Sequence, residues 1–225
     1  MKKIICRGKN QTLARWVLLA VSLAVLAGCA AQGPVKPEQA VTAPAVAREP
    51  GVVRLADGRE GFMITEIPKM DQAAQEDFQR AVALLDAHDY PKAIDLLEKV
   101  VQQSPGVTAP YIDLAIAYEQ TGKPEQAETH LKTALSLIPD HPVACNTYGL
   151  LCRKAGRFDE ARTLYEKALA RFPDYYPTHR NLGILCDLYL GDLACALSHY
   201  ETYSEARPED KQAKMWIVDL HNRMK

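Results

Sequence analysis

The residues best equipped for chemistry are cysteines and histidines in the second half of the chain. Cys195 and His199 fall one helical turn apart, and Cys186 comes from a neighbouring helix. Soft ligands at such spacing suit a transition metal, but no second Cys/His pair has ligand spacing, so no metal is expected. Cys145 and Cys152 lie two helical turns apart on one predicted helix, roughly 10 Å, too far for a disulfide. Cys186 and Cys195 face each other across a short turn between two antiparallel helices, and a disulfide between them is the alternative that the geometry allows. Small buried thiols are the favoured reading of all four cysteines, because Cys packs well among apolar side chains. His88, His130, His141, His179 and His221 are scattered. No HExxH, GxSxG or phosphate-loop pattern occurs, so neither an enzyme nor a cofactor is expected.

The elements that must position these residues are set by prolines. Pro105, Pro139 and Pro173 are 34 residues apart, and Pro208 follows after 35. A fixed period of this length predicts stacked helix–turn–helix units. With Thr108 as position 1, Tyr111, Leu114, Ala115 and Tyr118 share one face of a first helix. Gly122 ends that helix and Pro124 opens the next, which carries Ala127, Leu131 and Ala134. The unit from Pro142 repeats the frame with Cys145, Tyr148, Gly149 and Cys152, then Gly156, then Ala161, Tyr165 and Ala168. Small residues at Ala115, Gly149 and Gly183 let paired helices approach closely, and larger ones fill the gaps.

This spacing of small, aromatic and proline positions resembles the tetratricopeptide repeat family. The implied fold is an all-α solenoid of four repeats, over 74–107, 108–141, 142–175 and 176–209 within a domain at 71–208. In the last repeat the turn glycine, Gly191, comes one residue late, and the extra residue is expected at the end of the first helix. In the first, Asp77 and Arg80 stand where the family usually has Trp and Leu. Residues 209–225 read as a capping helix, with a docking helix for another protein as the alternative.

In the resembled family, four positions of each first helix face a concave groove. They map here onto Phe78 and Val82, then Ile112, Ile116 and Glu119. Asn146, Leu150 and Arg153 follow, then Arg180, Ile184 and Asp187. The apolar members imply an amphipathic helix or extended peptide as ligand, and Arg153 and Arg180 suit a carboxylate. The chaperone-tail clamp of some family members needs Lys and Asn at set places, and only Asn146, Asn181 and Arg180 come near.

The other end of the chain carries an address. Lys2, Lys3, Arg7, Lys9 and Arg15 precede an apolar run from Trp16 to Ala27, too short for a spanning helix and typical of a secretory signal. The run closes on Leu26-Ala27-Gly28-Cys29, which resembles the lipobox of bacterial lipoproteins. The resemblance implies a signal peptide at 1–28, and Cys29 carrying a diacylglycerol thioether and an amide-linked acyl chain. Ala30 in place of Asp implies the outer membrane, facing the periplasm. Loss of residues 1–28 takes the formal charge from −1 to −6, which leaves no electrostatic footprint for nucleic acid. Residues 29–50, rich in Ala, Pro and Val, read as a flexible tether of about 25 Å root-mean-square reach. Asp57-Gly58 between apolar runs predicts a small β-hairpin within 51–70, packed on the first repeat or paired with a partner's strand. The combined expectation is a lipid-anchored scaffold for a cell-envelope machine such as a secretion, pilus, motility or Ton-type system. The alternative is an adaptor that recruits peptidoglycan enzymes.

Overall fold

A computed structural model describes residues 51–54, 61–65 and 69–225. The expected signal peptide, Cys29 and the expected tether lie outside these residues. No helix among the described residues is long and apolar enough to cross a membrane.

Four helix pairs follow one another: α1 (Gln72–Asp86) with α2 (Tyr90–Gln103), α3 (Thr108–Gln120) with α4 (Pro124–Leu137), α5 (Pro142–Lys154) with α6 (Phe158–Arg171), and α7 (Tyr176–Leu185) with α8 (Leu193–Ala206). A last helix, α9 (Lys211–Arg223), packs on α8 as the first helix of a further unit would. The first helices also touch their successors, α1 with α3, α3 with α5 and α5 with α7, so together they form one concave wall. A continuous apolar core runs through the stack, from Ala81 and Leu97 through Leu114, Leu131 and Tyr165 to Tyr200 and Leu220.

The turn inside each pair is made the same way. The amide of Asp89 donates to the carbonyl of Leu84, Lys123 to Tyr118 and Arg157 to Cys152. Each bond spans five residues and closes around one residue with left-handed backbone, the arrangement that satisfies a helix's last carbonyls. Gly122 and Gly156 hold that place at φ 74° and 76°. The first turn uses His88 instead, at φ 59°. In the last pair the matching bond, from Asp192 to Cys186, spans six residues. The inserted residue is absorbed in a π turn over Cys186–Leu190, ahead of Gly191. The extra residue therefore does lengthen the first helix, and it widens its last turn.

At two pairs the helices close over a glycine. A Cβ on Gly149 would lie 2.5 Å from Cε1 of Tyr165, and one on Gly183 would lie 2.6 Å from the Tyr200 ring. In the first repeat, Asp77 occupies the usual Trp position and is buried. Lys99 of α2 donates to its carboxylate at 2.6 Å, and Arg80 donates to it as well. Those bonds hold the carboxyl below its ordinary range, Lys99 contributing most.

The expected hairpin is present, with β1 (Gly51–Arg54) antiparallel to β2 (Phe62–Thr65) and Gly51 opposite Thr65. Its seat differs from the expectation. Phe62 and Ile64 pack against Ile138, Phe172 and Tyr175, which lie just after the second and third repeats' last helices. The Phe62 and Phe172 rings are 4.8 Å apart. Apolar side chains at those junctions bury one face of the second strand.

Candidate functional site: the concave wall

Polar residues of the concave wall are largely spent on one another. Asn146 accepts hydrogen bonds from Thr178 Oγ1 at 3.1 Å and from Asn181 Nδ2 at 2.9 Å, so it ties α5 to α7. The two asparagines that come nearest to a chaperone-tail clamp are thus engaged inside the fold. Glu119 pairs with Lys154 of the next first helix. Asp187 pairs with Arg223 at 2.7 Å and keeps only 7% of its side chain exposed. Both pairs bridge equivalent places on consecutive helices of the wall.

The arginines are held differently. Arg153 lies over the Tyr189 ring at 5.7 Å, and Arg180 over the Trp216 ring at 5.4 Å. Neither has a carboxylate partner among the described residues. Stacking on aromatic faces orients a guanidinium while leaving its edge free for an anion. Trp216 also packs on Tyr200 at 4.9 Å, and α9 buries Ala213 and Leu220. The last helix therefore acts as the expected cap, and it closes the Asp187 end of the wall.

The apolar members divide. Ile112 is 4% exposed, buried with Tyr111, Ala134 and Ala144. It belongs to the core, because neighbouring helices cover that edge of α3, and it cannot line a ligand surface. Phe78 and Ile184 pack against the main core while keeping part of their surface. Val82 and Leu150 are half-buried, and Ile116 is exposed.

Sequence reasoning missed the acidic cleft beside Ile116. It measures about 440 Å³ and lies between α1 and α3, lined by Val82, Leu85, Asp86, Asp113, Ile116 and Gln120. His88 and Tyr90 complete it, joined by a 2.8 Å hydrogen bond. Burial, and next the Asp86 charge, push the Asp113 carboxyl up to about 7. Asp113 sits one position off the groove frame, so the family pattern does not flag it.

Two cysteine expectations resolve oppositely. Cys145 and Cys152 are buried free thiols, as read from the sequence. Cys186 and Cys195 are joined in a disulfide, with Cα atoms 5.9 Å apart, contrary to the favoured packing reading. Cys186 opens the π turn and stands opposite the first turn of α8, which carries Cys195. His199 does not join them. Its Nδ1 is 2.9 Å from Nδ1 of His179, whose Nε2 is 2.6 Å from the Pro173 carbonyl. A carbonyl only accepts, so His179 donates from Nε2, and His199 donates from Nδ1. Among the described residues, the one group of three potential metal ligands with atoms all within 4.8 Å of one another is Cys186, Asp192 and Cys195, and both sulfurs are spent in the disulfide.

Models described as tetratricopeptide repeat match residues 84–144 and 142–209. Over 77 residues, 34% of the chain, the sequence is 35% identical to Cellulose synthase operon protein C of Xanthomonas axonopodis pv. citri (strain 306). That stretch is 5% of the relative's length. Among solved structures, Pseudomonas aeruginosa pilF superposes with a TM-score of 0.64 at 20% identity, over 69% of this chain and 70% of that one. MamA from Desulfovibrio magneticus RS-1 gives 0.58 at 20% identity, over 69% and 88%. The thermophilic protein TTC0263 of Thermus thermophilus gives 0.58 at 24% identity, over 66% and 81%. At these identities the structural likenesses speak for the fold.

Proposed function

Since the chain belongs to the tetratricopeptide repeat family, whose members mediate protein–protein interactions, we propose that it is a lipid-anchored scaffold. In this reading Cys29 carries the lipid, the outer membrane holds the protein toward the periplasm, and the concave wall seats one subunit of a cell-envelope machine. The observation that carries the reading is the wall itself. Asn146, Asn181, Glu119 and Asp187 are engaged within the fold, yet Ile116 stays 36% exposed, with Val82, Leu150 and Ile184 half-buried along the same line. A surface of that kind gains by burying an apolar partner segment. The basic start, short apolar run and Leu26-Ala27-Gly28-Cys29 support the anchor. An anchor makes binding to a partner in the same membrane effectively intramolecular.

The test is crosslinking in native cell envelopes, followed by mass spectrometry of what stays attached to wild type and to Ile116→Glu. Recovery of subunits of one secretion, pilus, motility or Ton-type assembly, lost in Ile116→Glu, is the expected result. Recovery of peptidoglycan enzymes would move the protein to cell-wall regulation. Partners retained equally by Ile116→Glu would shift the binding surface away from the concave wall.

A further inference from the structure

Among the described residues of the concave wall, acidic charge goes without a paired cation at one place. Glu119 is neutralised by Lys154 and Asp187 by Arg223. Off the wall, Asp77 has Lys99 and Arg80, and Glu128 has Arg157 and Lys132. Asp86 and Asp113 differ. They share the cleft between α1 and α3, close enough for one charge to act on the other, and neither has an ion pair among the described residues. Two carboxylates on a partly desolvated, apolar wall are unfavourable in isolation and favourable toward an arriving cation.

The cleft also says which cation. A bare divalent ion needs several oxygen ligands converging on one point. Asp86 and Asp113 belong to no such group among the described residues. Val82, Leu85 and Ile116 give the cleft an apolar side, which suits a methylene stem, while His88, Tyr90 and Gln120 make up its polar remainder. The cleft continues directly into the apolar line of the groove at Ile116.

We propose that this cleft receives a lysine or arginine side chain of the partner, its stem along Val82, Leu85 and Ile116 and its charge between Asp86 and Asp113. The proposal rests on the concave wall being the partner's seat, and it adds what the partner must carry there: a basic residue beside an apolar one.

Panning a random linear peptide library against the whole chain, against Asp113→Asn and against Asp86→Asn/Asp113→Asn tests it. Both substitutions keep side-chain shape and remove unpaired charge, so the variants fold; Glu205→Gln, an exposed acid elsewhere, is the control. Expected are peptides enriched in Lys or Arg next to an apolar residue. Their affinity falls roughly tenfold or more in Asp113→Asn and is unchanged in Glu205→Gln. Selection of apolar peptides without basic enrichment, or equal affinity in the variants, would overturn the cleft and leave the groove standing. Failure of the wild-type chain to select any peptide would overturn the groove and the cleft with it.

Discussion

Gly149 and Tyr165 share one gap: the space where a Cβ would stand on the glycine is filled, at 2.5 Å, by an edge of the tyrosine ring. The equivalent places in the preceding repeat hold Ala115 and Leu131, both buried. A smaller partner on the second helix thus goes with a larger residue on the first, and helix spacing is conserved by exchange of volume between the two. Gly149→Ala should destabilise the fold by about 1–3 kcal/mol, since a buried ring cannot yield. Combined with Tyr165→Leu, the alanine should cost markedly less than it does alone. Urea unfolding of the two single variants and the double variant measures that coupling; strict additivity would show that the contact does not govern the spacing.

His88 holds a left-handed turn that glycine holds in the other three repeats. A side chain there costs about 1 kcal/mol in backbone strain. His88→Gly should raise stability by about 0.5–1 kcal/mol despite losing the Tyr90 hydrogen bond. The reading is a higher denaturation midpoint at an unchanged slope.

Asp113 should make the fold sensitive to pH. Its carboxyl, ordinarily near 3.8, is pushed up to about 7. Between those values the folded chain keeps a proton that the unfolded chain has lost, so this group's contribution falls as pH rises from about 4 to about 7 and then levels off. His199 and His141, both pushed down to about 4, act in the opposite sense over part of that range, so the comparison must be with a variant. Asp113→Asn should gain on the order of 1–3 kcal/mol over wild type at neutral pH, and much less near pH 4. Equal differences at both pH values would contradict the assignment.

The Cys186–Cys195 bond closes a loop with a sequence separation of 9. Restricting the unfolded chain over so short a loop contributes about 2–3 kcal/mol. Cys195→Ser, or reduction of the wild type, should lower the thermal midpoint, while Cys195→Ser itself should be insensitive to reductant.

Periodicity made the repeats and their turns legible, because a helix pair that must stack on copies of itself repeats its small and large residues in register. Late Gly191 announced an insertion, but the π turn that absorbs it depends on hydrogen-bond geometry with no residue code of its own. The Cys186–Cys195 pair was legible as an alternative, because the two cysteines flank that short turn, but spacing alone left packed thiols favoured. The groove frame located Ile116, Arg153 and Arg180 on the groove side of three successive first helices but could not show which residues their neighbours would consume. Ile112 is covered, Asn146 is bonded to Thr178 and Asn181, and Asp187 is closed off by Arg223. Each loss involves a residue more than 20 positions away or a helix edge, beyond what spacing on one helix encodes. Asp113 went unseen because its importance lies in a missing partner, and sequence patterns record what is present.

The hairpin has a mechanical consequence. Gly51 pairs with Thr65, so the strand that leads in and the strand that leads on to α1 meet at the same end of the ladder. Tension on the chain ahead of Gly51, opposed by the repeats, opens that ladder one rung at a time instead of shearing all its rungs together. Phe62, against Phe172, sits at the far end of the ladder, opposite Arg54. A weak tug from that side is therefore taken up by unzipping a few residues of strand, and the helix stack is spared.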